Sequence, residues 1–186
     1  MIHFTSDLHI NHANVIKYSQ RPYSSVEEMN EAIVNEWNRV VKPTDTVYNL
    51  GDFAFMPYEA FKKILYRFNG IIHLILGNHD KMIIQHREDL LKQGKIRSIQ
   101  HYLELKTEGQ FIVLFHFALR TWNRKHYDSI HLFGHSHNAL DPFDRSVDVG
   151  VDSTQITSEY RPVSMPEVLA YMSKRTNGTT DRHVED

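Results

Sequence analysis

Apolar and polar positions recur along this chain at two periods, and the changes of period mark its elements. Met1-Ile2-His3-Phe4-Thr5 reads as a short strand that runs straight into Ser6-Asp7-Leu8-His9. From Ser25 the period becomes helical. Met29, Ala32, Ile33, Trp37 and Val40 keep one face, Ser25 and Glu28 have capping-box spacing, and Pro43 ends the helix. Thr46-Val47-Tyr48-Asn49-Leu50 is a second strand, halted by Gly51-Asp52. Pro57 suits a helix start, and Ala60, Phe61, Ile64, Leu65 and Phe68 form an apolar stripe up to Gly70. The run Ile71-Ile72-His73-Leu74-Ile75-Leu76 has the length and isoleucine content of a buried strand, and Gly77 breaks it.

The second half is less regular. Residues 81–93 carry a looser helical pattern closed by Gly94. Ile96 to Leu105 and Phe111 to Phe115 alternate around Glu108-Gly109, which predicts a hairpin. Ser129-Ile130-His131-Leu132-Phe133 is another strand, and Ser146-Val147-Asp148-Val149-Gly150-Val151 the last core strand. Ser164 and Glu167 form a second capping box that opens a terminal helix through Met172. Helices alternate with strands early and a hairpin comes late. That order predicts an α/β layered fold with a mixed sheet or two sheets, covered by helices. Without repeats or a linker, residues 1–172 read as one domain, and residues 173–186 as a polar, flexible C-terminal tail.

Composition narrows the chemistry. The 186 residues carry a net charge of −2, so strong nucleic-acid binding is not expected. There are no cysteines, which excludes disulfides, thiolate zinc sites and a cysteine nucleophile. Any metal must therefore be held by His, Asp, Glu or Asn, and 13 histidines supply such ligands amply. No signal peptide and no bilayer-spanning apolar stretch is visible, so a cytoplasmic protein without a membrane partner is the expectation.

Five separate strands end in a candidate ligand. They are followed by Asp7 and His9, by Asp52, by Asn78, by His116, and by His135 and His137. In open α/β folds the loops at the carboxyl ends of strands converge on one crevice. Taken singly, each of these residues is more often a turn residue, a cap or a satisfied core histidine than a ligand. Together they exceed what one ion with an open coordination position takes, and they suit two ions about 3.5–4 Å apart sharing a carboxylate. The pairs Asp7/His9 and His135/His137 are spaced i, i+2, and on an extended backbone alternate residues point to the same side.

In its order of motifs the chain resembles the calcineurin-like metallophosphoesterases. The matching elements are Asp7-Leu8-His9, Gly51-Asp52, Gly77-Asn78-His79-Asp80, His116 and Gly134-His135-Ser136-His137. The resemblance implies a two-sheet β-sandwich flanked by helices, in four α/β/β/α layers. It implies one metal held by Asp7, His9, Asp52 and His137, and another by Asp52, Asn78, His116 and His135, with Asp52 as the bridge. It implies His79 as the catalytic histidine outside both metals. Protein-phosphatase members follow Gly-Asp with a tyrosine-valine-aspartate-arginine-glycine run, whereas here Phe53-Ala54-Phe55-Met56 follows. The chain looks more like the short bacterial and phage phosphoesterases.

The expected reaction is attack on phosphorus by a metal-bridging hydroxide, with His79 giving a proton to the leaving oxygen. The expected cofactors are two divalent ions, Mn²⁺ first, with Fe, Zn or Ni as alternatives. The expected substrate is a small, nucleotide-like phosphodiester or monoester. Arg21 and Arg120 are candidates to clamp phosphate and Trp122 to stack on a base; equally, Trp122 covers the core and Arg120 pairs with a surface carboxylate. Two other readings stand beside this one: a DNA or RNA nuclease, disfavoured by the absence of a Lys/Arg-rich stretch, and a non-catalytic scaffold, disfavoured by the intact ligand set.

Overall fold

The computed structural model describes residues 1–178. In chain order its elements are β1 (Ile2–Thr5), α1 (Ala13–Tyr18), α2 (Val26–Val40), β2 (Thr46–Asn49), α3 (Tyr58–Leu65), β3 (Ile71–Ile75), α4 (Lys81–Gln85) and α5 (Arg87–Gln93). There follow β4 (Ile96–Gln100), β5 (Tyr102–Thr107), β6 (Gln110–Phe115), β7 (Ile130–Phe133), β8 (Ser146–Asp148), β9 (Val163–Ser164) and α6 (Met165–Met172). They build two sheets flanked by helices. One sheet has the order β4-β3-β2-β1-β9, with β1 to β4 parallel and β9 antiparallel at its edge. The other has the order β5-β6-β7-β8, in which β6, β7 and β8 are parallel.

The apolar runs are explained by what covers them. Val47, Ile72, Leu74, Ile96 and Ile99 of the first sheet face a cluster with Ile33, Trp37 and Phe61 from α2 and α3. The opposite face contributes Phe4, Tyr48 and Ile75 to a second cluster with Ile112, Leu114, Ile130, Leu132 and Val147 of the second sheet and with α6. Strands covered on both faces have no polar side to alternate with, hence the near-continuous hydrophobic runs. Trp37 is fully buried and its indole N–H donates to the Asn69 carbonyl at 2.9 Å.

Several expectations change. The strand predicted over Ile96 to Leu105 is two strands in different sheets: β4 pairs with β3, and after His101 β5 pairs with β6. Alternation is the same in either sheet, so periodicity did not reveal the crossing. The helical stretch at 81–93 is two helices meeting at His86, whose ring stacks on Tyr58 at 3.9 Å. The last core strand stops at Asp148. α1 and β9 are new: α1 buries only Val15, and β9 has two residues, too little for any period to show. Of the expected tail, Arg175, Asn177 and Gly178 are tied down. Arg175 Nε donates to the Asp144 carbonyl at 2.5 Å, and the Asn177 side chain accepts from Arg145 N–H at 3.0 Å and donates to the Lys125 carbonyl at 2.8 Å. Residues 179–186 lie outside the described residues. Among those described, no helix is long and apolar enough to cross a membrane.

The second predicted cap is realised at α6, where Ser164 N–H and Oγ both donate to the Glu167 carboxylate, at 2.8 and 2.6 Å. Burial alone would raise the pKa of Glu167, but hydrogen bonds from Arg161 and Ser164 bring it down to about 2. A carboxylate depressed in the folded state stabilises the fold above its unfolded pKa, and the contribution is lost as pH falls toward the folded value. Glu167→Gln is therefore expected to lower stability by about 1 kcal/mol at pH 7, the usual worth of a helix cap. Its difference from the wild type should shrink between about pH 4.3 and pH 2. Urea melts at both ends of that window check it; a constant difference would show that the carboxylate charge is not involved.

Candidate metal centre

Each site loop leaves the carboxyl end of a parallel strand, and the two sheets bring those ends together. The loops after β1 and β2 run side by side, joined by Asp7 N–H to the Gly51 carbonyl (2.9 Å), His9 N–H to the Asp52 carbonyl and Ile10 N–H to the Phe53 carbonyl (both 3.0 Å). The buried Asp80 side chain pins the next turn. It accepts from the backbone N–H groups of Asp52 (2.9 Å), Gly77 (2.8 Å) and Phe53 (3.1 Å). Gly77 and Gly134 are needed for closeness. A Cβ on Gly77 would collide with Asp52 Oδ1, and one on Gly134 with Ser6 Oγ and Asp7 Oδ2.

All seven candidate ligands come together here, and six of them form two groups. Asp7, His9 and His137 form one, and Asp52, His116 and His135 the other, each with its ligand atoms within 4.8 Å of one another. In the first, Asp7 Oδ1 lies 3.8 Å from His9 Nε2 and 3.9 Å from His137 Nε2. In the second, Asp52 Oδ2 lies 3.6 Å from His116 Nε2, and the Asn78 amide oxygen is 3.0 Å from that same nitrogen. Asp52 Oδ2 is also 3.8 Å from His9 Nε2, so it stands between the groups.

The i, i+2 pairs converge by another route than an extended strand. Asp7, His9, Asp52, His135 and His137 all have positive φ, between 46° and 65°. Left-handed backbone is sparsely populated outside glycine, and a cluster of it marks a site that the surrounding structure holds in place.

The donor set fits divalent cations. The two carboxylates are divided in the same way: Asp7 Oδ2 accepts the His135 N–H (2.8 Å) and Asp52 Oδ1 the His79 N–H (2.9 Å), while the second oxygen of each faces the other ligands. Asp7 Oδ1 and both ring nitrogens of His9 are buried without a hydrogen-bond partner. Buried polar atoms in that condition are destabilising unless something binds them. Burial pushes the Asp7 carboxyl up to about 8, and burial with the neighbouring His137 and Arg21 charges pushes His9 down to about 2. His116 gives its Nδ1–H to the Leu50 carbonyl at 2.6 Å, and its Nε2 faces Asp52 and Asn78.

His79 is exposed and stands outside both groups, its ring 5.9 Å from that of His9 and 4.9 Å from that of Phe55. Two aromatic side chains flank the centre. Phe55 stacks on His12 (4.1 Å) and His9 (5.6 Å), and Phe117, 38% exposed, packs on His116 (4.9 Å) and His135 (4.6 Å).

Two of the three substrate residues expected from the sequence, Arg21 and Trp122, are bound up inside the fold. Arg21 is buried, and its five N–H groups go to Asp152 Oδ1 and Oδ2 (both 2.8 Å), the Leu8 carbonyl (2.9 Å), the Asp7 carbonyl (2.6 Å) and Met29 Sδ (3.4 Å). It has no donor left for a phosphate. Trp122 is buried against the outer face of the second sheet, with its N–H on the Ser129 carbonyl at 3.3 Å and its ring 5.4 Å from His131. It is a packing residue. Arg120 is exposed with its guanidinium 5.4 Å from the Phe143 ring.

Others escaped the sequence reading. His131 is buried in β7, its pKa pushed down to about 4 by burial, and its ring accepts from Leu119 N–H at 3.1 Å, holding the loop that follows His116. Asp152 bonds His137 Nδ1 at 2.6 Å. Neither has a sequence signal of its own, since one sits inside an apolar strand and the other in a turn. A cavity of about 440 Å³ near Lys106, Arg124 and Arg145 lies at the β5–β6 turn and the start of β8, the opposite strand ends from the candidate ligands.

No family model matches the chain. It is 35% identical over 182 residues to MJ1445 of Methanocaldococcus jannaschii, an uncharacterized protein, spanning 93% of this chain and 92% of that one. The protein of unknown function AQ665 from Aquifex aeolicus superposes with a TM-score of 0.67 at 22% identity, over 91% of this chain and 98% of the other. A novel archaeal phosphodiesterase superposes with a TM-score of 0.48 at 18% identity, over 82% and 83% of the two chains.

Proposed function

We propose that this chain, which belongs to one family with MJ1445, is a dinuclear metal-dependent phosphoesterase of the calcineurin-like metallophosphoesterase type, acting on small, nucleotide-like phosphodiesters or monoesters. The observation that carries this reading is the place of Asp52 Oδ2, within 3.8 Å of His9 Nε2 and 3.6 Å of His116 Nε2, at the junction of the two ligand groups. Asp7, His9, Asp52 and His137 would hold one divalent ion, and Asp52, Asn78, His116 and His135 the other, with Mn²⁺ the first candidate and Fe, Zn or Ni the alternatives. Such a pair supplies neutralisation of phosphate oxygens and a water acidic enough to ionise near neutral pH.

The chain's own residues supply position and a proton. Asp80 holds the backbone of Asp52 and Gly77, and Asp52 Oδ1 in turn holds the backbone of His79. His79 therefore stands beside the ligands without being one, free to protonate the oxygen that leaves. With Arg21 fully bonded inside the fold, charge recognition of the phosphate falls to the ions rather than to a guanidinium clamp.

For the rest of the substrate, the exposed Phe117 ring against His116 and His135 takes the stacking role that Trp122 does not. Base stacking on an aromatic side chain is worth about 1–3 kcal/mol. Phe117→Ala should raise KM for a nucleobase-containing ester by roughly 5- to 150-fold and leave a small alkyl phosphate ester nearly unchanged. An equal change in both would remove Phe117 from substrate binding.

The whole reading is tested by screening phosphate mono- and diesters, plasmid DNA and RNA with Mn²⁺ restored to metal-stripped protein. Turnover of small esters that stops on stripping and returns with Mn²⁺ is the expected result. Faster cleavage of polymers would make it a nuclease, and no turnover with two ions bound would make it a scaffold.

A further inference from the structure

The two halves of the centre are held by different means. In one half, His116 is oriented by a main-chain carbonyl, that of Leu50. In the other, His137 is oriented by a side chain, with Asp152 Oδ2 2.6 Å from its Nδ1 and Ser19 Oγ at 3.1 Å. Asp152 is itself buried and gripped at both oxygens by Arg21, at 2.8 Å each. The same guanidinium bonds the carbonyls of Asp7 and Leu8, so it fixes the backbone of a second ligand of this half. His137 needs such support more than the other ligands of its group: its side chain is 25% exposed, against 4% for His9 and none for Asp7.

We infer that Arg21 and Asp152 are positioning residues for one half of the metal centre, setting His137 as the Nδ1–H tautomer with Nε2 aimed at Asp7 and His9. The inference rests on the metal reading above and adds to it which ion depends on which side chains. A carboxylate on the far nitrogen of a ligating imidazole fixes ring plane and tautomer and raises ligand basicity, and its loss typically weakens metal binding about 10- to 100-fold. The bidentate fork of arginine, unlike lysine, can grip both oxygens of Asp152 while still reaching two carbonyls.

The test is calorimetric titration of metal-stripped protein with Mn²⁺ alone, for the wild type, Asp152→Asn, Arg21→Lys, the double variant and Asn78→Ala. Asp152→Asn is expected to weaken one of the two binding steps by about 10- to 100-fold and to leave the other unchanged. Arg21→Lys should weaken that same step, and the double variant should be no worse than the more affected single one, because the pair acts as a unit. Asn78→Ala should weaken the other step. Thermal melts of the metal-free proteins separate loss of a ligand's position from loss of the fold, and if Asp152→Asn does not fold, Arg21→Lys carries the same comparison. Two wild-type binding steps in Asp152→Asn and Arg21→Lys, or both steps weakened alike, would overturn the inference and leave the metal reading standing. No Mn²⁺ bound by the wild type would overturn both.

Discussion

Asp52→Asn is expected to leave the protein with one equivalent of bound metal or none, and to lower kcat/KM by at least about 10³-fold. The reason lies in the division of labour between the two carboxylate oxygens. Oδ1 accepts the His79 N–H at 2.9 Å, while Oδ2 faces His9 and His116 at the junction of the groups. An amide can serve only one of these places. With its oxygen on the His79 N–H, its NH₂ points into the ligands and cannot bind a cation; rotated, it meets the His79 N–H donor to donor. Asn78→Ala, which touches only the His116 side, should lose at most one equivalent. Elemental analysis of the two variants decides it. Two full equivalents in Asp52→Asn would refute the bridging role.

His79→Ala should keep its metals and lose kcat by roughly 10²–10⁴-fold on esters with poor leaving groups. The side chain is exposed and belongs to neither ligand group, and its loop is held through its backbone N–H, which alanine retains. Removing the imidazole therefore removes a proton donor without emptying the site. On a nitrophenyl ester, whose oxygen leaves without needing a proton, the loss should be much smaller. Equal losses on both classes of ester would argue for general charge stabilisation instead, and loss of metal would place His79 among the ligands.

Much of the fold was legible because its signals are local. Ser25 caps α2 by accepting the Glu28 N–H at 3.1 Å, and Ser164 with Glu167 closes the start of α6, as their spacing in the chain predicted. The stripe of Met29, Ile33 and Trp37 faces the core cluster because residues spaced at 3.6 per turn must share a face. The gathering of Asp7, His9, Asp52, Asn78, His116, His135 and His137 was equally legible, since loops at the carboxyl ends of parallel strands have one edge of the sheets on which to meet.

Where the sequence misled, the deciding partner was remote. Arg21 looked like a phosphate clamp, and whether an arginine is free depends on what it meets; here it meets Asp152, 131 positions away. Trp122 read equally as a stacking surface or a core cover, and its packing on His131 of the second sheet decides for the cover. The chain between Ile96 and Leu105 alternates as one strand, yet passes between sheets, because period 2 reports a face and not a neighbour. The sequence by itself thus determined the elements, their buried faces and the ligand types at the strand ends, all set by spacing along the backbone. Only the tertiary structure decided the left-handed turns that aim the ligands, the split into two groups around Asp52, and the Arg21–Asp152 support behind His137. Those depend on contacts between residues far apart in the chain, and no local period encodes them.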